Sequence, residues 1–132
     1  MNHSRENVLL IDDNCHLREV IGIFLRDEGY GVLEAANGKV ALELLNGLPK
    51  KDIPSCVVLD LKMPVMSGDE FLEALETEAS TELRNIPVII YSAEGKLRRH
   101  RQVVARLEKP VSIEILCGAI KGCTGILDQK CT

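Results

Sequence analysis

The sequence predicts an α/β domain in which one parallel sheet is covered by helices on both faces. Strand and helix signals alternate along all 132 residues. Three short runs, 8–11, 56–59 and 88–91, are apolar throughout, which is typical of strands buried on both sides. Two weaker strands, 32–35 and 103–107, mix polar with apolar residues and fit the sheet edges. Right-handed crossovers and these polar edges favour a doubly wound sheet of strand order 2-1-3-4-5.

The predicted helices are recognised by apolar periodicity and by the residues at their ends. Gly29 ends the first helix, since glycine adopts the left-handed conformation at little cost. Asn37 is the expected N-cap of the second helix, and Ser67 with Glu70 forms a capping box before the third. Ser112 is expected to cap the last helix. The inward residues predicted for the first helix are Leu17, Val20, Ile21, Phe24 and Leu25, and those for the last are Ile115, Leu116, Ala119 and Ile120.

A short fourth helix is predicted between the fourth and fifth strands, because Ser92 and Lys109 leave room for only about one or two helical turns. Its residues are unusually basic: Lys96, Arg98, Arg99, His100 and Arg101. Two interpretations stay open, a solvated helix face and a docking surface for an acidic downstream protein. Nucleic-acid binding is a weaker third, since no aromatic residues interleave the charges.

The composition and the chain length exclude several classes of protein. The net charge of −4 argues against binding to nucleic acid or to anionic membranes, and no apolar run approaches the roughly 20 residues that cross a bilayer. Five cysteines at spacings that fit neither a zinc site nor a disulfide framework indicate a reducing cytoplasm. One domain is expected over residues 1–122, as a monomer or a weak dimer, followed by a loose tail over 123–132 that has no periodic pattern.

Charged and polar side chains follow the predicted strands. Asp12 and Asp13 come after the first strand, Asp60 after the third, Ser92 after the fourth and Lys109 after the fifth. Ligands of such sheets bind beyond the carboxyl ends of the strands, and neighbouring strands are about 4.8 Å apart. The carboxylates should therefore converge and repel each other unless a cation joins them. A hard ion such as Mg²⁺ meets that need, and the hydroxyl and the ammonium complete a pocket for a dianion.

The order of these residues resembles the receiver domains of response regulators over nearly the whole chain. The matching features are the acidic pair, Asp60 followed by Met63-Pro64, Gly68 at the start of the next helix, Ser92, and Lys109-Pro110. The resemblance implies a flavodoxin-like (βα)5 fold with a shortened helix 4. It also implies a stand-alone phosphoacceptor of two-component signalling, without an output domain, that relays phosphate or signals by protein contact.

The resemblance also assigns roles to the residues. Asp60 would accept the phosphoryl group from a histidine kinase, a phosphotransfer protein or a small donor. Lys109 would pair with Asp60 before the reaction and with the phosphate afterwards, and Ser92 would bond a phosphoryl oxygen. The implied Mg²⁺ ligands are Asp13, Asp60, the backbone carbonyl of Lys62, and Asp12 directly or through water. Such a domain catalyses only its own phosphotransfer and dephosphorylation, so it is not expected to be an enzyme in the ordinary sense.

Two features depart from the usual receiver pattern. Arg106 stands three residues before Lys109, where receivers often carry an aromatic switch residue. Arginine does not rotate into an apolar slot as an aromatic ring does, so we expect activation to be read at the loop after Ser92 or at an altered surface. Lys62 and Glu94 could pair above the phosphoryl site and hinder the hydrolytic water, which predicts slow dephosphorylation.

Three rival functions are weaker. A haloacid-dehalogenase-like phosphatase needs a second aspartate two residues after its nucleophile, where this chain has Lys62. A flavodoxin-like FMN carrier wraps phosphate in a Ser/Thr-rich loop after the first strand, whereas Asp12-Asp13-Asn14 would repel it. The third is a degenerate receiver that acts as a phosphorylation-independent binding module, and the complete acidic set argues against it.

Overall fold

The computed structural model describes residues 6–78, 80–93 and 97–124. Its centre is a parallel five-stranded sheet of order β2-β1-β3-β4-β5. The strands are β1 (Asn7–Ile11), β2 (Gly31–Ala35), β3 (Cys56–Leu59), β4 (Val88–Ser92) and β5 (Val103–Glu108). The predicted fold class and strand order are confirmed, with the weaker strands β2 and β5 at the edges.

Five α-helices accompany the strands: α1 (Cys15–Asp27), α2 (Gly38–Gly47), α3 (Gly68–Glu78), α4 (Thr81–Arg84) and α5 (Ile113–Thr124). The predicted helix ends are confirmed by their hydrogen bonds. Asn37 Oδ1 accepts from the backbone N–H of Val40 at 3.0 Å. The backbone N–H of Ser67 donates to Glu70 Oε1 at 2.9 Å, and that of Glu70 donates back to Ser67 Oγ at 3.2 Å. Gly29 follows α1 with a φ of 98°, which glycine adopts without strain.

The core lies in two layers because the central strands bury both of their faces. Alternate side chains of a strand point to opposite sides of the sheet. One layer, under α2, α3 and α4, contains Leu9, Ile11, Val57, Leu59, Val88 and Ile90. The other, under α1 and α5, contains Val8, Leu10, Cys56, Val58, Ile89 and Tyr91. This arrangement explains why β1, β3 and β4 are apolar without alternation.

The apolar stripes of two helices are wider than the surfaces that cover them. In α1, Ile21 and Leu25 are buried as predicted, but Val20 and Phe24 are exposed. In α5, Ile115 is exposed although it was expected to face inward. The helix α1 contacts β1, β2 and α5, and only the middle of its stripe meets them. The prediction that these three side chains face inward was wrong. Apolar periodicity shows which face of a helix is turned to the core, but not how much of that face neighbouring elements cover.

The basic segment between β4 and β5 is not helical in its described part, so the prediction of a basic helix there was wrong. Residues 97–100 have no regular structure, and residues 101–102 form a turn. Lys96 and Glu94 lie outside the described residues. The fourth helix of the structure is α4, which lies before β4. Side-chain contacts to α3 hold the basic segment, as described below.

The last helix continues to Thr124, two residues beyond the predicted end of the domain at residue 122. Its final residue lies near Tyr30, whose hydroxyl is 3.0 Å from the hydroxyl of Thr124. Residues 125–132 of the predicted tail lie outside the described residues. Within the described ranges, no helix is long and apolar enough to cross a bilayer.

Candidate functional site

The backbone brings the predicted site residues to one edge of the sheet. The N–H of Asp60 donates to the carbonyl of Ile11 at 2.9 Å, and that of Lys109 donates to the carbonyl of Ser92 at 3.0 Å. These bonds continue the ladder one residue beyond β3 and β5, so each side chain leaves the sheet at its carboxyl edge. Asp12, Asp60 and Ser92 are buried there. The predicted convergence of these residues is present in the structure.

Three carboxylates form the centre of this edge. Asp12, Asp13 and Asp60 each present an oxygen, and these oxygens all lie within 4.8 Å of one another. Asp12 and Asp60 are buried, whereas Asp13 is exposed and open to an incoming ligand. Like charges at this distance repel, and a hard divalent cation relieves the repulsion. An all-oxygen donor set of this kind fits Mg²⁺, so the residues present agree with the metal that the receiver pattern implies.

Lys109 reaches the carboxylates from the end of β5. Its Nζ lies 2.7 Å from Asp12 Oδ2 and 3.6 Å from Asp60 Oδ2. The shorter contact is therefore with Asp12, and the predicted pairing with Asp60 is the longer one. Partial burial by itself lowers the pKa of Lys109, but the hydrogen bond and charge of Asp12 and the charge of Asp60 outweigh it, so the pKa is raised. Lys109 thus supplies a permanent positive charge at neutral pH.

Ser92 connects β4 to Asp60, which follows the neighbouring strand β3. Its Oγ donates to Asp60 Oδ1 at 2.8 Å. The backbone N–H of Leu61 lies 3.5 Å from the same Oγ. The Ser92 hydroxyl therefore holds one carboxylate oxygen of Asp60 and stands where it can bond a group attached to that carboxylate.

Gly68 packs directly against the backbone of Asp60. A Cβ at Gly68 would lie 2.5 Å from the carbonyl oxygen of Asp60, well inside van der Waals contact. The N–H of Gly68 also donates to the carbonyl of Leu61 at 3.0 Å. A residue without a side chain is required here, because the start of α3 closes tightly over the end of β3.

A shallow groove opens beside Asp13, with a volume of about 390 Å³. Its lining residues are Asp13, Leu61, Lys62, Met63, Pro64 and Ser67. Lys62 therefore borders the carboxylates as expected. Its predicted pairing with Glu94 stays a prediction, since Glu94 lies outside the described residues. Arg106 is exposed on the edge strand β5, opposite Ile90 of β4.

One residue that positions the site, Arg18, was not identified from the sequence. Arg18 of α1 donates from a terminal guanidinium nitrogen to the backbone carbonyl of Asp12. Its Nε lies 3.0 Å from Glu34 Oε1 on β2. Arg18 therefore joins α1, β2 and the loop that carries Asp12. In the sequence Arg18 is one of many charges on an amphipathic helix, so no local signal distinguishes it.

The basic segment meets a row of carboxylates on α3. Arg98 Nε lies 2.8 Å from Asp69 Oδ2, and Arg98 also contacts Glu73. His100 is buried between two acids, with Nε2 at 2.8 Å from Asp69 Oδ1 and Nδ1 at 2.6 Å from Glu76 Oε1. These contacts hold residues 98–100 along α3 and use two of the charges that were predicted to face solvent or a partner. We call this set of residues, Asp69, Glu73, Glu76, Arg98 and His100, the α3 clamp.

The same contacts shift the ionisation of the clamp residues. Burial alone lowers the pKa of His100, but hydrogen bonds and charge from Asp69 and Glu76 prevail, so the pKa of His100 is raised. For Asp69, burial raises the pKa, but the hydrogen bonds from His100 and Arg98 prevail, so the pKa of Asp69 is lowered. Both shifts favour the charged pair.

Comparison with known sequences finds a family model and curated relatives that match most of this chain. The sequence model described as "Response regulator receiver domain" matches residues 8–121. Response regulator RR06 of Streptococcus pneumoniae is 37% identical over 120 residues, which cover 87% of this chain and 51% of that protein. Sporulation initiation phosphotransferase F of Bacillus subtilis is 31% identical over 121 residues, which cover 88% of this chain and 91% of that protein. The chain thus spans about half the length of the first relative and most of the second.

Solved structures agree with the fold. The chemotaxis protein CheY4 of Vibrio cholerae matches with a TM-score of 0.75 at 25% identity, over 90% of this chain and 98% of that chain. A CheY-like receiver domain protein of Methanospirillum hungatei matches with a TM-score of 0.78 at 24% identity, over 96% of this chain and 99% of that chain. The alternating strands, the acidic edge of the sheet and the family match over most of the chain lead to one assignment. The protein belongs to the response regulator receiver domain family.

Proposed function

We propose that Asp60 accepts a phosphoryl group, in a Mg²⁺-dependent reaction, from a histidine kinase or a phosphotransfer protein. The observation that carries this proposal is the convergence of three carboxylates, an ammonium and a hydroxyl at one sheet edge. Receiver domains are phosphoacceptors rather than enzymes. Autodephosphorylation of the acyl phosphate is part of the proposal.

The proposed reaction needs little besides positioning and charge. One oxygen of the Asp60 carboxylate attacks phosphorus, and the bond from phosphorus to the donor's histidine nitrogen breaks, with its electron pair remaining on that nitrogen. Lys109, 3.6 Å from Asp60 Oδ2, offsets the negative charge of the transferred group. Ser92, which donates to Asp60 Oδ1, is placed to redirect its hydroxyl to a phosphoryl oxygen.

The proposed metal site uses residues that the geometry supports. The carboxylates of Asp12, Asp13 and Asp60 would hold Mg²⁺, together with the backbone carbonyl of Lys62, which lines the adjoining groove. When bound, the ion neutralises charge on the carboxylates and on the incoming phosphoryl oxygens. Asp13 is the exposed member of the set, so it faces the side from which a donor arrives.

The proposed signal leaves through protein contacts in the cytoplasm. The phosphotransferase relative, of which this chain spans 91%, supports a role in relaying phosphate or in docking to a target protein. Switching is proposed to start at Ser92 and its following loop, since the exposed Arg106 offers no aromatic ring to move inward. Of the predicted basic docking residues, Arg99 and Arg101 are exposed, whereas Arg98 contacts α3.

The test is phosphorylation with acetyl phosphate and Mg²⁺, read by intact mass. We expect the wild-type protein to gain the mass of one phosphoryl group, and Asp60→Asn to gain none. Asp27→Asn, at the end of α1 and away from the sheet edge, is the matched control and should react as wild type. If Asp60→Asn is modified as fast as wild type, Asp60 is not the acceptor. If wild type stays unmodified with both acetyl phosphate and a histidine kinase, the chain is a phosphorylation-independent binding module.

A further inference from the structure

A second cavity, rich in arginine, lies away from the carboxylates. Its volume is about 590 Å³, and its lining residues are Glu76, Arg84, Arg99, His100, Arg101 and Gln102. Arg84 ends α4 ahead of β4, and Gln102 immediately precedes β5. The cavity therefore stands at the amino ends of these strands, whereas the aspartates follow the carboxyl ends. It is a separate feature from the proposed phosphoryl site.

The charge of this cavity is positive although the whole chain carries −4. Arg84, Arg99 and Arg101 are exposed, and among the side chains that the structure describes, which do not include that of Glu78, no carboxylate forms an ion pair with any of them. Glu76 is the acidic residue in the lining, and its carboxylate already bonds His100 Nδ1 at 2.6 Å. Arg84 donates from one terminal nitrogen to Thr81 Oγ1 at 3.3 Å, so its other N–H groups, together with those of Arg99 and Arg101, can meet an anionic ligand. A guanidinium presents planar N–H donors that match a carboxylate in pairs.

Gln102 adds a specific hydrogen-bonding requirement. It is only 8% exposed, and its Nε2 donates to the carbonyls of Leu83 at 3.2 Å and Ile86 at 2.9 Å. Those two bonds establish which end of the amide is the oxygen. Among the described residues, that oxygen, Oε1, has no hydrogen-bond partner. A buried acceptor without a hydrogen bond destabilises the folded protein, so a ligand that brings an N–H would recover this loss.

The α3 clamp fixes the position of the backbone that carries Arg99 and Arg101. His100 is held between Asp69 and Glu76, and the chain around it has no helical structure. Arg99 and Arg101, on either side of His100, are exposed while His100 is buried. Arg99 and Arg101 therefore extend from a segment that the contacts of His100 hold against α3.

We propose that this cavity binds an acidic segment of a downstream protein, whose carboxylates pair with Arg84, Arg99 and Arg101 and whose backbone N–H donates to Gln102 Oε1. A peptide supplies both groups that the cavity lacks, repeated carboxylates and N–H donors. A nucleotide is disfavoured because the lining contains no Phe, Tyr or Trp on which a base could stack, and the imidazole of His100 is buried between Asp69 and Glu76. The proposal rests on the proposed function only for the idea that a downstream protein exists.

The experiment is an NMR titration of the ¹⁵N-labelled chain with blocked hexaglutamate peptide. We expect saturable shifts of the Gln102 side-chain amide and of the backbone amides of residues 99–102. The double variant Arg99→Gln/Arg101→Gln should weaken binding about tenfold or more. Arg26→Gln removes one arginine from α1, on another face, and should bind as wild type. Hexaglutamine should not bind.

Three outcomes would overturn the proposal. The first is equal loss of affinity in the double variant and in Arg26→Gln, which would mean a general charge effect. The second is an absence of shifts at Gln102. The third is that inorganic phosphate or a mononucleotide shifts these signals while hexaglutamate does not. Asp60→Asn is expected to bind hexaglutamate as wild type does, so failure of the phosphoacceptor proposal and failure of this one are told apart.

Discussion

At Gly68 the absence of a side chain allows the start of α3 to pack against the backbone of Asp60. We expect Gly68→Ala to destabilise the fold by about 1–3 kcal/mol, because its Cβ would lie 2.5 Å from the Asp60 carbonyl and the backbone must shift. Phosphorylation by acetyl phosphate should also slow, since Asp60 would move. Urea unfolding and intact mass measure the two effects.

Gly118 gives the matched control for that substitution. It lies within α5, and a Cβ there would meet nothing within 4 Å. Gly118→Ala should stabilise the protein by about 0.5–1 kcal/mol, since alanine favours the helix, and should leave phosphorylation unchanged. Equal stability of the two variants would contradict the steric argument at Gly68.

Lys62 is expected to lengthen the life of the acyl phosphate. It lines the groove beside Asp13, so its side chain can restrict the approach of water to a phosphoryl group on Asp60. Lys62→Asn should therefore shorten the half-life of the phosphorylated protein, measured by loss of the phosphoryl mass after acetyl phosphate is removed. Lys39→Asn, an exposed residue of α2, should leave it unaltered. An unchanged half-life in Lys62→Asn would show that Lys62 does not shield the site.

At the scale of elements, the connection from β4 to β5 shows how tertiary contacts replace a helix. Its basic residues were expected to form helical turns, yet Arg98 and His100 bind carboxylates of α3 instead. A short helix has few internal hydrogen bonds and is marginal by itself. Charge-assisted hydrogen bonds to the carboxylates of α3 stabilise the same segment in a non-helical conformation.

The α3 clamp should depend on pH through His100. Because the folded pKa of His100 is raised, its contribution to stability is complete below the unfolded value of about 6.5 and is lost as pH rises through the folded pKa. Asp69 has a lowered pKa, so its contribution is present above about 3.9 and is lost as pH falls through its folded pKa. Arg98, a further member of the clamp, stays positively charged over this range, because the hydrogen bond and charge of Asp69 raise its pKa.

His100→Asn tests this dependence. We expect the decline of the urea midpoint as pH rises from about 6.5 through the folded pKa of His100 to flatten in this variant, while NMR titration of wild-type His100 gives a pKa above its usual range. His16→Asn is the control, because His16 is exposed on α1; it should keep the wild-type slope. A slope that is the same in His100→Asn and wild type would mean that the clamp does not titrate through His100.

For the whole molecule, the acidic edge is expected to lower the stability of the protein when no metal ion is bound. Three carboxylates within 4.8 Å of one another repel each other without a cation. We expect Asp13→Asn to raise the thermal midpoint in EDTA and to abolish most of the rise that Mg²⁺ gives to wild type. A ligand of the folded state stabilises it by about 1.4 kcal/mol for each tenfold excess over its Kd. Asp27→Asn should respond to Mg²⁺ as wild type, and a full response in Asp13→Asn would exclude Asp13 as a ligand.

Much of this architecture was predicted from the sequence because its signals are local. Uniformly apolar runs marked β1, β3 and β4, and the caps at Asn37 and Ser67 marked helix starts, since each depends on residues a few positions apart. The meeting of Asp60, Ser92 and Lys109 at the carboxyl ends of their strands followed from the predicted strand order. The expected gathering of charged residues at one edge therefore needed no coordinates.

The tertiary structure alone decided which of these side chains touch. Lys109 hydrogen-bonds Asp12, 97 residues away, more closely than Asp60, and Arg18 holds the Asp12 carbonyl. His100 is buried against α3, although its neighbours in sequence are charged and exposed. Contacts between distant segments depend on how elements are placed to within an ångström or so, and hydrophobic periodicity carries no information at that precision. The sequence by itself therefore determined the helices and strands and their order, and the tertiary fold determined which side chains contact each other.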